Sequence, residues 1–86
     1  MILIDPPGVP AHGRMWSHLV SDSSLAELHE FARALGVPER GFERDHYDVP
    51  DRLYAAAVAA GAEAVSSREL VRRLTEAGLR QRKRAR

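Results

Sequence analysis

Arg44, Asp45, His46, Tyr47 and Asp48 follow one another in a chain with one Trp, two Tyr and two Phe. A cation, two carboxylates, an imidazole and a phenol therefore share one short stretch. In an extended segment His46 and Asp48 leave from one face, with Asp45 and Tyr47 on the other. One face then offers an imidazole nitrogen and carboxylate oxygens, the donor types of a Zn, Mn or Fe type ion. Asp5, His12 or His18 could complete the shell, although no third ligand stands at a diagnostic spacing. Asp48 equally suits capping a helix that begins near Pro50, with His46 in a plain hydrogen bond.

A second polar cluster lies upstream. His12, Arg14, Trp16 and His18 alternate with Gly13, Met15 and Ser17, and a lone acid, Asp5, follows Met1-Ile2-Leu3-Ile4. Arg14 beside Gly13 can present a planar fork to a phosphate or carboxylate, and the glycine lets a ligand approach the backbone. It can also pair with Asp5, Asp45 or Asp48. Trp16 suits stacking on a ligand ring or packing in the core. His18 has an ordinary pKa of about 6.5, which fits a general acid or base, or a strand histidine bonded to a carbonyl. Tyr47 can orient a ligand or cover the core, and His29 reads as packing on a helix boundary.

These side chains need elements to hold them. Residues 1–4 read as a buried strand stopped by Asp5-Pro6-Pro7-Gly8 and feeding a loop to about Gly13; residues 14–20 read as a second strand. Ser24 and Glu27 form a capping box, and Leu25, Leu28, Phe31, Ala32 and Leu35 give the face of a helix that Gly36 and Pro38 end. Residues 37–45 read as a loop, and His46 to Val49 as a short extended segment or helix lead-in. Pro50 suits the first position of a second helix, with Leu53, Ala56, Ala57 and Ala60 as its narrow face. Ala62 to Val65 is a candidate strand. Ser66 and Glu69 then cap a third helix lined by Leu70, Val71, Leu74 and Ala77. The expectation is a small single-domain α/β protein of two to three short strands with three helices over residues 1–79, followed by a basic tail over 80–86. Asp5 would lie beyond the end of the first strand, where open α/β sheets collect ligands if parallel neighbours are present.

Composition narrows the function classes. An 86-residue chain supports one modest core. No apolar run approaches the roughly 18 residues of a membrane span, there is no signal-peptide pattern, and cysteine is absent, so a cytoplasmic location is expected without disulfides or thiolate metal ligands. The net charge of +1 conceals an asymmetry: residues 1–79 sum to −4, and Arg80, Arg82, Lys83, Arg84 and Arg86 supply the excess. Basic residues spread over a folded nucleic-acid-binding surface are not present. Residues 5–10 are neither a phosphate-binding loop nor a dinucleotide fingerprint, and no serine sits in a nucleophile elbow.

With these residues assembled, the chain resembles domain-of-unknown-function family 4031, a group of short bacterial and phage proteins. The resemblance runs from the first strand to about residue 78. It rests on Asp5, Gly13-Arg14 followed by His18, Asp22, Glu27-Leu28-His29, and above all His46-Tyr47-Asp48. It implies no activity and no catalytic residue, but it adds weight to His46 and Asp48.

The leading expectation is a pocket that binds a divalent metal or a small phosphate-bearing ligand, with metal-assisted hydrolysis of a phosphoester as the best-supported reaction class. His18, His46 and Asp48 are the catalytic candidates, His46 and Asp48 the metal ligands, and Asp5, Arg14, Trp16 and Tyr47 the ligand-binding candidates. Arg14 would hold the anion and His18 would carry a proton. The competing class is a noncatalytic module contacting nucleic acid or protein, the basic tail from Arg80 to Arg86 supplying salt-dependent phosphate contacts without interleaved aromatics. A third reading makes the polar cluster a hydrogen-bond network that fixes the fold.

Overall fold

Strand β1 (Ile2–Ile4) is apolar and buried along its length, and the rest of the sheet is built outward from it. The computed structural model describes residues 1–81. β1 pairs antiparallel with the long β3 (Arg14–Ser21), Ile2 opposite Ser21, and parallel with β6 (Glu63–Ala64). On the other flank of β3 lies β5 (His46–Pro50), with His18 opposite Asp48. β4 (Phe42–Glu43) forms the edge beyond β5, and β2 (Val9–Ala11) folds back on the start of β3. The order is β4-β5-β3-β1-β6, with β2 beside β3.

The α/β class therefore holds, but the sheet is larger than the expected two to three strands. The additional strands come from stretches that read as loop, because two-residue turns create them. His12 and Gly13 have φ of 53° and 75° between β2 and β3, a turn whose twist matches that of paired strands. Arg44, at φ 58°, opens the equally tight turn between β4 and β5. Neither turn carries the Asn-Gly or Asp-Gly signal that advertises such a hairpin.

Helix α1 (Leu25–Leu35) starts where expected, Ser24 Oγ accepting from the Glu27 backbone N–H at 3.1 Å. The reciprocal half of the capping box is replaced: Ser24 N–H donates to Ser21 Oγ, whose hydroxyl donates to the Glu27 carboxylate. Gly36, at φ 91°, closes the helix in the left-handed conformation that glycine adopts without strain. The second helix begins later than Pro50. That residue ends β5 opposite Trp16 with extended backbone, so the chain passes through a 3₁₀ turn (Asp51–Leu53) before α2 (Tyr54–Ala59). α3 (Ser67–Glu76) follows β6, with Ser66 Oγ accepting from the Glu69 N–H.

The pleat divides the core in two. Ile2, Ile4, Leu19, Tyr47 and Val49 pack with Leu28, Ala32 and Ala57 of α1 and α2. Leu3 and Val20 pack with Leu70 and Leu74 of α3. Each fully buried leucine contributes about 1.5–3 kcal/mol to stability. On β3 the alternation that turns Val20 toward α3 turns His18 and Trp16 the same way, and His46 and Asp48 follow on β5. Trp16, His18, His46 and Asp48 are all only partly buried, so this half of the face stays partly open. Among the described residues, no helix is long and apolar enough to cross a membrane.

Candidate metal centre

Antiparallel register brings His18 directly opposite Asp48, with His46 two residues earlier on the same strand and face. One potential ligand atom from each of His18, His46 and Asp48 lies within 4.8 Å of the other two. His46 Nε2 and Asp48 Oδ1 are 3.4 Å apart. That is the separation of two donors bound about 2.1 Å from one ion at the tetrahedral angle. The third candidate that spacing alone did not supply is thus His18, brought to the other two by strand pairing.

Each imidazole is held from behind by a different buried carboxylate. His18 Nδ1 lies 2.8 Å from Asp5 Oδ2, and Asp5 is 1% exposed. Asp5 Oδ1 accepts from the His18 backbone N–H at 2.6 Å, and Ser67 Oγ donates to Oδ2 at 2.7 Å. Asp5 occupies the C-terminal end of the parallel pair β1 and β6, next to the start of α3, as open α/β sheets favour. His46 Nδ1 lies 2.8 Å from Asp45 Oδ1, and Asp45 is also 1% exposed. Its Oδ2 accepts from the Gln81 backbone N–H at 2.7 Å and from Arg80 at 3.1 Å. A carboxylate at Nδ1 accepts the proton there, which turns Nε2 of each ring away from it, and His46 Nε2 faces Asp48 Oδ1 at 3.4 Å.

Asp45 is the residue the strand alternation misassigned. It is not across the sheet from His46, because it belongs to the tight turn after Arg44 and not to the strand, and the turn swings its carboxylate back to its neighbour. Its adjacency to a histidine was the only available signal.

The charges reinforce one another. The hydrogen bond to Asp5 raises the pKa of His18 above the ordinary imidazole value, against the opposing effect of burial. Asp48 does the same for His46, with Asp45 adding to it. Burial works against the Asp5 charge, but hydrogen bonds from His18 and Ser67 outweigh it and hold the carboxyl below its usual range. Asp45 follows the same pattern, with His46, the Gln81 N–H and Arg80 as its donors. Asp48 is lowered chiefly by His46.

Other expected site residues lie elsewhere. Tyr47 faces the opposite side of the sheet, 2% exposed, with its hydroxyl 2.6 Å from His29 Nδ1 and its ring 5.3 Å from Phe42. The intervening sheet separates it from the cluster. Arg14 pairs with none of Asp5, Asp45 or Asp48; its guanidinium stands 6.0 Å from the Trp16 ring centroid. Trp16 is half-buried and donates from Nε1 to the Ala11 carbonyl at 2.9 Å. His12 is exposed in the hairpin turn, outside the metal cluster. Asp48 caps no helix, since Pro50 and Leu53 hold the cap positions downstream. Of the basic tail, Arg80 clamps Asp45, and residues 82–86 lie outside the described residues.

A family model described as "Protein of unknown function (DUF4031)" matches residues 2–77. No curated protein and no solved structure matches the chain.

Proposed function

Since the chain belongs to the family described as "Protein of unknown function (DUF4031)", which comes with no activity, we propose from the site itself that it binds a divalent metal through His18, His46 and Asp48 and hydrolyses a phosphoester there. One observation carries this reading: two imidazoles, each with Nδ1 held by a buried aspartate, converge with the Asp48 carboxylate so that one ligand atom from each lies within 4.8 Å of the others. The carboxylate–histidine–metal relay has this arrangement, in which the outer carboxylate fixes ring orientation and tautomer. A purely structural network has no need of two such relays converging on one point.

Two nitrogens and one oxygen suit Zn, Mn or Fe(II), and three protein ligands leave a position for water. A bound ion would lower the pKa of that water toward about 7 and polarise a phosphoryl oxygen. His18, His46 and Asp48 would hold the ion, which would supply the activated water; as that water's oxygen bonded to phosphorus and the ester P–O bond broke, the Asp48 oxygen turned away from His46 would take the water proton and the departing oxygen would be protonated from solvent. Asp5 and Asp45 keep the two rings in position throughout.

The test is thermal unfolding of metal-stripped protein with Zn²⁺ or Mn²⁺, followed by hydrolysis of p-nitrophenyl phosphate in the same samples. An ion at 100 times its Kd adds about 2.7 kcal/mol, and a domain of this size gains roughly 4–8 °C in Tm per kcal/mol. The shift and the hydrolysis should both vanish in His46→Ala. If no divalent ion moves the Tm and His46→Ala simply melts lower, the cluster serves the fold and not a metal.

A further inference from the structure

Asp48 has a second set of neighbours. Beyond the metal cluster, at the end of the sheet where β2, β3 and β5 meet the segment before β4, lies a cleft of about 550 Å³ whose wall includes Asp48, Trp16, His12, Arg14, Arg40 and Arg52. The three arginines are exposed, and among the described residues none is in an ion pair. Of the other described arginines, Arg44, Arg72, Arg73 and Arg80 are paired with carboxylates, while Arg33 and Arg68 are unpaired and lie away from the cleft. Residues 1–79 carry a net charge of −4, so three unpaired guanidinium groups converging on one cleft stand out against an acidic body.

We propose that this cleft is a substrate site for a nucleoside monophosphate or a phosphoester of that size, its phosphate held by Arg14, Arg40 and Arg52 and its base stacked on Trp16. This rests on the metal reading above, because the phosphate would reach the cluster through Asp48, the residue common to both. Three features select the ligand. Arginine forks match phosphate oxygens in bidentate fashion. The indole is fixed by its bond to the Ala11 carbonyl, and Arg14 covers it only at 6.0 Å, the outer limit of a cation–π contact, so a planar ring can take that face. The volume falls within the roughly 300–1,000 Å³ of small-molecule sites. A long polynucleotide would need basic groups continuing along the surface, and the acidic balance of residues 1–79 does not provide them.

Trp16 is the sole tryptophan, so its fluorescence reports the stacking directly. AMP, ribose 5-phosphate and inorganic phosphate would each be titrated into metal-free and Zn²⁺-loaded protein, following Trp16 emission and binding heat. AMP should quench the emission, while ribose 5-phosphate should bind at least tenfold more weakly and leave it unchanged. The double variant Arg40→Gln, Arg52→Gln should weaken AMP by about 10–100-fold while keeping its Tm and the Zn²⁺-induced shift, since neither side chain touches the metal cluster. AMP binding without quenching, equal affinity for ribose 5-phosphate, or undiminished AMP affinity in the double variant would each overturn the assignment. The two readings separate cleanly. Zn²⁺ binding without AMP binding removes the cleft proposal alone, whereas arginine-dependent AMP quenching without a Zn²⁺ shift removes the metal and leaves the nucleotide site.

Discussion

His18 and His46 meet edge to face, ring centroids 5.2 Å apart at 75°, although they come from different strands and hydrogen-bond to different aspartates. Two rings that titrate in the same range would repel when both are charged, and indeed the charge on His46 opposes that on His18. A divalent ion bound between them would relieve that repulsion, since it takes both rings in their neutral form.

Removing either rear carboxylate should weaken the ion without abolishing it. Asp5→Asn and Asp45→Asn keep the side-chain shape but lose the charge that fixes the Nδ1 proton, and outer partners of this kind are worth about 10–100-fold in metal affinity. Competition against a chromophoric chelator would measure it. Affinity unchanged in both variants would mean the aspartates only support the fold.

The pH dependence should reverse sign when metal is added. In metal-free protein the pKa values of His18 and His46 are raised by Asp5 and by Asp48, respectively. Their contribution to stability is full below the unfolded value of about 6.5 and is lost as pH rises through the folded value. Ligation requires neutral imidazoles, so metal affinity should instead grow over that same rise in pH. Tm recorded from pH 5.5 to 8.5, with and without Zn²⁺, should show the two curves diverging; parallel curves would contradict ligation by these histidines.

Ser17 is 1% exposed, and its hydroxyl finds no hydrogen-bond partner among the described residues. Leaving a buried polar group unpaired costs free energy, so Ser17→Ala should be neutral or stabilising by up to about 1 kcal/mol. Urea denaturation would register it as an unchanged or higher midpoint.

Leu74 anchors α3 against Leu3 and Val20 and is 2% exposed. Leu74→Ala should cost about 2–5 kcal/mol, by lost burial plus the cavity left behind. α3 also carries Ser67 onto Asp5, so metal affinity should fall together with the urea midpoint. A large loss of stability with metal affinity intact would show that the Ser67 contact contributes nothing to the site.

How far the sequence disclosed this arrangement depended on the range of the interactions. Helices α1 and α3 were legible because Ser24 and Ser66 cap them within a single turn, a local signal. The pairing of His18 with Asp48 was not, because it depends on strand register between segments 30 residues apart in number. His46 and Asp48 were found together from their spacing alone. Asp45 was assigned to the wrong face because it sits with Arg44, at positive φ, in the two-residue turn that precedes the strand, where the alternation does not hold. Arg40 and Arg52 carried no motif at all; only the folding of the segment before β4 and the turn after β5 brings them to one cleft.

The clamp on Asp45 has a consequence for the order in which the molecule becomes competent. Ser67 reaches Asp5 across 62 residues of chain, and the Gln81 backbone reaches Asp45 across 36. A polypeptide emerging from the ribosome holds His18, His46 and Asp48 long before it holds the segment that locks the second ring. An ion held by these three side chains would therefore be gripped firmly only once the segment around Gln81 has been made and has docked on Asp45.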